Sequence, residues 1–207
     1  MDLAPWLRHV PHEARPLIKS WVKPLALDLV LKGARRSKNG DFRVPRSGQR
    51  ARITINVNLP PYRFLLTLVH ELAHFKTWME YGAKVSAHGP EWKRQFAGML
   101  RALSTVAELP RLYRAALIAH ARSPKASVSA DPQLHRVLCA FDPGRGDDIC
   151  TVDDIPLGGA FILDGRHFEK ISAQRTRCIC LELHTGLKYH VYKNAAVESP
   201  VTSNCRE

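Results

Sequence analysis

Apolar positions along the chain follow two rhythms, helical and alternating, and the order in which they appear predicts its elements. In "VPHEARPLIKSWV", Leu17, Ile18, Trp21 and Val22 recur at helical spacing, so a helix should end near Lys23-Pro24 with its apolar face on a core. "LALDLVLK", "DFRVP" and "ARITINVNL" are rich in β-branched and alternating residues. They predict three strands of a small sheet, with Lys38-Asn39-Gly40-Asp41 as a turn between the first two. Pro60-Pro61 stops the third strand. From Tyr62 to Tyr81 the residues Phe64, Leu65, Leu68, Val69, Leu72, Phe75 and Met79 mark a long core-facing helix. "GAKVSAHG" reads as a loop. Pro90 suits the first turn of a helix whose face is Trp92, Phe96, Met99, Leu100, Leu103 and Val106, and "PRLYRAALIAHA" adds a shorter one.

Then the helical rhythm stops. "RSPKASVSADPQ" lacks large apolar residues, which predicts a linker over 122–138 with a boundary near residue 125. Beyond it, Asp164-Gly165 and Thr185-Gly186 each separate two strand-like runs, as in two antiparallel hairpins. The expected class is α+β: a main domain over 1–121 with a small three-stranded sheet and helices, and a small basic β unit over 139–207. A length of 207 residues accommodates one full core and such an appendage.

Composition narrows the function classes. An apolar share of 45% with 24% charged residues excludes a disordered or fibrous chain. The excess of 31 Lys and Arg over 19 Asp and Glu creates a field that attracts polyanions, nucleic acid foremost. A basic membrane-binding helix fits less well, because the cations are scattered, and a merely solvated basic surface is the plain alternative. The N-terminus lacks the layout of a signal peptide and no apolar run approaches the roughly 20 residues of a membrane span, so a cytoplasmic location without membrane contact is expected. Nothing in the sequence bears on oligomeric state. The five cysteines, Cys139, Cys150, Cys178, Cys180 and Cys205, are odd in number and confined to the last third, which suits free thiols or a metal site better than disulfides.

The strongest chemical signal is "TLVHELAHFKTW". On a helix His70 and His74 point the same way and can share one zinc ion, while Glu71 is placed to act as a general base outside the ligand set. With 10 histidines in the chain, a chance His-Glu-x-x-His is expected roughly 0.02 times. The motif therefore outweighs the alternative of two half-exposed helix histidines, although imidazoles also suit other divalent metals. The downstream candidates for a third ligand are Glu80, His88, Glu91 and Glu108. His88 is preferred because Gly89-Pro90 can turn the chain back at a helix start; Glu91, the next choice, has an ordinary role in the first helical turn.

"TLVHELAH" followed by "HGPEWK", with "ITINVNL" and "RRSKNGDFRVP" upstream, resembles the SprT-like and Spartan metallopeptidases over about Pro11 to Leu103. The resemblance implies a zincin-like core of minigluzincin type, one catalytic zinc on His70, His74 and His88, and Glu71 as base. It also implies protein substrates bound or crosslinked to DNA, with DNA, single-stranded included, as a partner. Zincins commonly bind substrate as an added strand on a sheet edge, which would give "RITINVNL" that role and make Asn56 and Asn58 either substrate contacts or structural residues. The alternative function is a DNA-associated adaptor that keeps the zinc fold with little peptidase activity.

The C-terminal third departs from the zinc ribbon that many such proteins carry. Cys178 and Cys180 are one residue apart and lack a Cys-x-x-Cys partner, so reduced structural thiols are expected there. Arg166, Lys170, Arg175, Arg177, Lys188 and Lys193, interleaved with Phe168, Tyr189 and Tyr192, form a candidate nucleic-acid surface, with Arg166, Arg175, Arg177 and Lys188 the leading contacts. Aromatics filling a small core under solvated cations is the competing account. A second basic cluster, Arg35, Arg36, Lys38, Arg43, Arg46, Arg50 and Arg52, surrounds the expected first sheet.

Overall fold

The computed structural model describes residues 3–35, 38–45, 49–142 and 151–201. They fall into two compact units, one running to Ala126 and taking in Phe141 and Asp142, the other made of Ser127–Ala140 and the residues from Thr151 on. Both helices and sheets are present, so the class is α+β. No helix among the described residues is long and apolar enough to cross a membrane.

In the first unit α1 (Ala4–Leu7) and α2 (Arg15–Val22) precede β1 (Leu27–Lys32), β2 (Gly40–Arg43) and β3 (Ala51–Asn56). The strand order is β1-β3-β2. β1 runs parallel to β3, with Leu27 opposite Ala51, whereas β2 runs antiparallel to it, with Gly40 opposite Ile55 and Arg43 opposite Arg52. The turn residues at 38–41 therefore do not close a β1–β2 hairpin. The chain passes over β3 instead, which leaves β3 in the centre and β2 at an edge. This placement corrects the expectation that "RITINVNL" offers an edge to substrate.

A central strand must satisfy both faces, and the two faces of β3 do so differently. Ile53 and Ile55 are fully buried, and Phe42, opposite Ile53, packs edge-on against Phe75 at 6.0 Å. On the other face Arg35 donates from Nε to Asn56 Oδ1 at 2.7 Å and from Nη1 to Thr54 Oγ1 at 3.0 Å. One guanidinium thus pairs two buried polar side chains that would otherwise each cost about 1–3 kcal/mol.

α3 (Pro61–Tyr81) starts on Pro60-Pro61, where a missing N–H costs nothing, and stops at Gly82, whose φ of 70° and ψ of −159° suit glycine alone. Phe64, Leu65, Leu68, Val69, Leu72 and Phe75 are buried as the periodicity requires. Met79 differs: the helix outruns the core at that turn and leaves it 63% exposed. α4 (Pro90–Ser104) and α5 (Arg111–His120) complete the layer, with Trp92, Phe96, Leu100, Leu103, Tyr113 and Leu117 buried. Phe141 and Asp142 join this unit through α3: the Phe141 ring lies 4.7 Å from Tyr62, and Arg63 Nε is 2.7 Å from Asp142 Oδ2.

In the second unit the expected linker is partly helical, since α6 (Pro132–Ala140) begins inside it. The start signal is short but complete. The Asp131 side chain accepts the Leu134 N–H at 3.0 Å, Pro132 fills the first turn, and Leu134 and Leu138 are buried at i, i+4 spacing. β4 (Ala160–Leu163), β5 (Arg166–Ala173), β6 (Arg177–Glu182), β7 (Lys188–Tyr192) and β8 (Ser199–Val201) form an antiparallel sheet in the order β7-β6-β5-β4-β8. The β4–β5 turn has positive φ at both Asp164 (52°) and Gly165 (70°), the geometry that an Asp-Gly pair favours. β8 was not foreseen from the sequence. One face of the sheet buries Val152, Ile155, Phe161, Phe168, Cys178 and Cys180.

Candidate metal centre

Two turns of α3 and the loop before α4 build the site. His70 and His74 lie four residues apart on one face of α3, and His88 enters from the loop. The Ser86 carbonyl accepts the Gly89 N–H at 3.0 Å, folding that loop into a turn just ahead of Pro90. Gly89 has φ −70°, open to any residue. The space beside it is tight, since a Cβ there would lie 3.1 Å from Ser86 Cβ and 3.2 Å from the Glu91 carboxylate.

The three Nε2 atoms face one another. His74 is 3.1 Å from His70 and 3.1 Å from His88, and His88 is 3.3 Å from His70. A neutral imidazole offers one donor and one acceptor, so three such nitrogens cannot pair off with one another. Ligands at about 2.0–2.1 Å around a tetrahedral ion sit about 3.3–3.4 Å apart, close to this triangle. Together they form a site that can hold a metal ion. Trp92, fully buried, underlies all three, with ring centroids 4.8 Å from His70, 5.3 Å from His74 and 4.7 Å from His88.

Electrostatics agree with ligation by neutral imidazoles. Burial, then the facing His74 and His88 rings, push His70 down to about 3; burial and His88 push His74 down to about 4; burial and Lys93 lower His88. Each therefore stays uncharged at neutral pH with a lone pair available for a cation.

Glu71 turns away from the imidazoles toward β2. It is buried, and a Cβ placed on Gly40 would lie only 2.6 Å from its Oε1 and 2.7 Å from Thr67 Cγ2. Burial, with Asp41 nearby, pushes the carboxyl up to about 8, opposed by the Phe42 backbone N–H and by Arg35 and Lys38. A cation held by the neighbouring imidazoles would draw that value down again, because an opposite charge favours the carboxylate.

The other acidic candidates do not join the cluster. Glu80 accepts from Gln95, Glu91 sits in the first turn of α4, and Glu108 is exposed. Asn56 is 1% exposed, and its side chain is used up by Arg35 and the Lys38 carbonyl, the latter at 2.9 Å, so it is a structural residue and not a substrate contact. Asn58 is exposed in the turn that follows β3, two residues past the end of that strand.

The two basic clusters are largely committed to internal partners. Arg35 serves β3, Lys38 and Arg43 both pair with Asp41, and Arg50 lies 3.8 Å from Asp28; Arg36 and Arg46 fall outside the described residues. In the β unit Arg166 pairs with Glu182 and lies over the Tyr189 ring at 4.5 Å, Arg177 lies over Tyr192 at 4.6 Å, and Lys193 is 2.9 Å from Asp153. Phe168 is core. Arg175, Arg177 and Lys188 remain exposed.

Cys178 and Cys180 are buried in the same small core, where burial raises both thiols, Cys180 to about 11. Cys150 and Cys205 lie outside the described residues.

The structure gives Gly40 and Lys170 roles that their sequence context only hints at. Gly40 was read only as a turn residue, although a glycine opening a strand beside a buried Glu signals close approach. Lys170 was read as a surface cation, although it shares the inward face of β5 with Phe168, two residues away. It is 4% exposed and donates to the carbonyls of Asp153 at 3.1 Å and Ile155 at 2.6 Å.

No curated protein and no solved structure matches the chain. The model of the SprT-like family matches residues 30–110, a span that contains β2, β3, α3, α4 and every residue of the histidine site. Over those residues the chain is similar to the SprT-like family, as the motifs around His70 and His88 implied.

Proposed function

We propose that the protein is a zinc-dependent peptidase with a zincin-type core, acting on proteins bound or crosslinked to DNA. The observation that carries this reading is the convergence of His70, His74 and His88 beside a buried Glu71 that is not part of the ligand triangle. A zinc ion in that triangle would supply Lewis acidity, polarising a carbonyl and making water a stronger acid. Glu71 accepts a proton from the attacking water at a carboxylate oxygen and returns it to the amine nitrogen as the C–N bond breaks. The Phe42 N–H and the absent side chain at Gly40 hold that carboxylate against the β2 backbone. Substrate adds as a strand to β2, the edge strand beside Glu71, where main-chain bonding tolerates many sequences. The net charge of +12 and the exposed Arg175, Arg177 and Lys188 favour localisation on DNA.

An adaptor without activity has no use for a carboxylate buried in this position, which favours the enzyme. The test is cleavage of a protein crosslinked to single-stranded DNA, by wild type and Glu71→Gln, with and without chelator and after digestion of the DNA. Cleavage by wild type alone, lost with chelator and weakened without DNA, is expected. A zinc-loaded, DNA-binding wild type that cleaves nothing would move the assignment to the adaptor.

A further inference from the structure

Beside the histidine triangle lies a cup of about 190 Å³, lined by Phe42, Val44, Trp78, Val85, Ala87 and His74 among others. Its position follows from the elements already described. Phe42 and Val44 come from β2 and the residue just past it, Trp78 from the turn of α3 that follows His74, and Val85 and Ala87 from the loop that delivers His88. His74 belongs both to the cup and to the metal triangle, so whatever fills the cup sits next to the reacting bond.

We infer that this cup is a subsite for one large apolar side chain of the substrate, located on the amino side of the scissile bond. The inference rests on the peptidase reading and deepens it by naming a substrate preference.

Three observations carry it. The wall is apolar and built: Phe42 and Trp78, both half-buried, lie 6.4 Å apart, and Phe75 packs against each at 6.0 Å. Among the described residues no carboxylate, lysine or arginine lines the cup; of its two hydroxyls, that of Thr77 is spent on the Ala73 carbonyl at 2.7 Å and that of Ser86 is exposed. A charged side chain entering it would lose its water without a partner, whereas an apolar one loses nothing. The volume lies below the roughly 300 Å³ at which pockets begin to hold drug-sized ligands, so one side chain suits it better than a whole small molecule.

Direction gives the side of the bond. β2 runs from Gly40, beside Glu71, to Phe42, beside Phe75 and Trp78. A substrate strand added antiparallel to it, the commoner pairing, runs from the Trp78 end toward the Glu71 end. The residue that reaches the cup therefore precedes the bond at the metal. Val44, 46% exposed, forms the rim and can be changed without disturbing the core.

The test uses the full zinc-loaded chain and a mixture of unstructured peptides, with cleavage sites read by mass spectrometry. Phe, Leu or Met should be enriched within two positions on the amino side of the cut, and replacing that residue by Gly should lower kcat/KM by about tenfold or more. Val44→Glu should shift the preference from apolar residues toward Lys and Arg while zinc content is unchanged. A second readout does not need turnover: in zinc-loaded Glu71→Gln, a Phe-containing peptide should shift the Trp78 indole resonance, assigned with Trp78→Phe, and its Gly analogue should not. Cleavage without enrichment and without a Val44→Glu effect overturns the subsite and leaves the peptidase standing. Selective binding without any cleavage by wild type supports the subsite and removes the peptidase. Neither binding nor cleavage overturns both.

Discussion

The two units each place a pair of potential metal ligands at regular spacing, and they use them in opposite ways. On α3 the pair is His70 and His74, four residues apart on a helix, with a third histidine brought in by a loop until three nitrogens lie within 3.3 Å of one another. On β6 the pair is Cys178 and Cys180, two residues apart on a strand, and both thiols point into a core of Val152, Ile155, Phe161 and Phe168. Regular spacing puts ligands on one face in both cases. Only in the first does that face open onto a loop that can complete the set. In the second the face is covered by apolar side chains, and burial raises the thiols away from the thiolate that metal binding requires. The buried positive charge there is Lys170, held by two carbonyls.

The largest effect should come from breaking the histidine set. His88→Ala, measured as zinc per chain after dialysis, should fall from about one ion to below about a tenth, because two imidazoles alone leave half of a tetrahedral shell without protein ligands. Cys178→Ser with Cys180→Ser should keep the zinc content of the wild type. A double cysteine variant that lost its zinc, or a His88 variant that kept it, would reverse the assignment of the two regions.

Next in size is the placement of Glu71. Gly40→Ala puts a carbon 2.6 Å from Glu71 Oε1, so the carboxylate must move while the histidines need not. A displacement of about 1 Å at a reacting group can cost about 10²-fold, and the loss should fall on kcat with zinc content intact. Gly33→Ala, with nothing within 4 Å of the new carbon, is the control and should change neither. Unchanged turnover in Gly40→Ala would count against Glu71 as the proposed base.

Much of this is legible in the sequence. The apolar periodicity from Phe64 to Phe75 located α3, and the Gly89-Pro90 start of α4 pointed to His88 as third ligand. Strand order was not readable, because alternation in "DFRVP" and "ARITINVNL" marks strands without saying which lies in the middle. Chain crossing from β1 over β3 depends on long-range pairing that no local pattern records. The same gap put β3 at an edge and left Asn56 open between a substrate contact and a structural residue, where Arg35, twenty-one residues earlier, makes it a buried structural amide. The helix α6 was hidden by the small polar residues before it, although Asp131-Pro132 announces its start.

The smallest effect separates Lys170 from the surface cations with which the sequence groups it. Lys170→Met keeps the aliphatic stem and removes the ammonium, leaving the carbonyls of Asp153 and Ile155 without the donor they now share. Replacing a whole buried polar set by apolar groups can be neutral, but removing one partner leaves the others unsatisfied. The expected loss is roughly 2–3 kcal/mol, read by urea denaturation of the full chain. Lys188→Met, at an exposed position, should lose almost nothing in the same measurement. Zinc content should be unchanged in both, since neither residue touches the histidine triangle. Equal stability in the two variants would mean that the Lys170 ammonium is no firmer a tie than a solvated lysine. The β unit would then owe its cohesion to the core of Val152, Ile155, Phe161, Phe168, Cys178 and Cys180 without help from that ammonium.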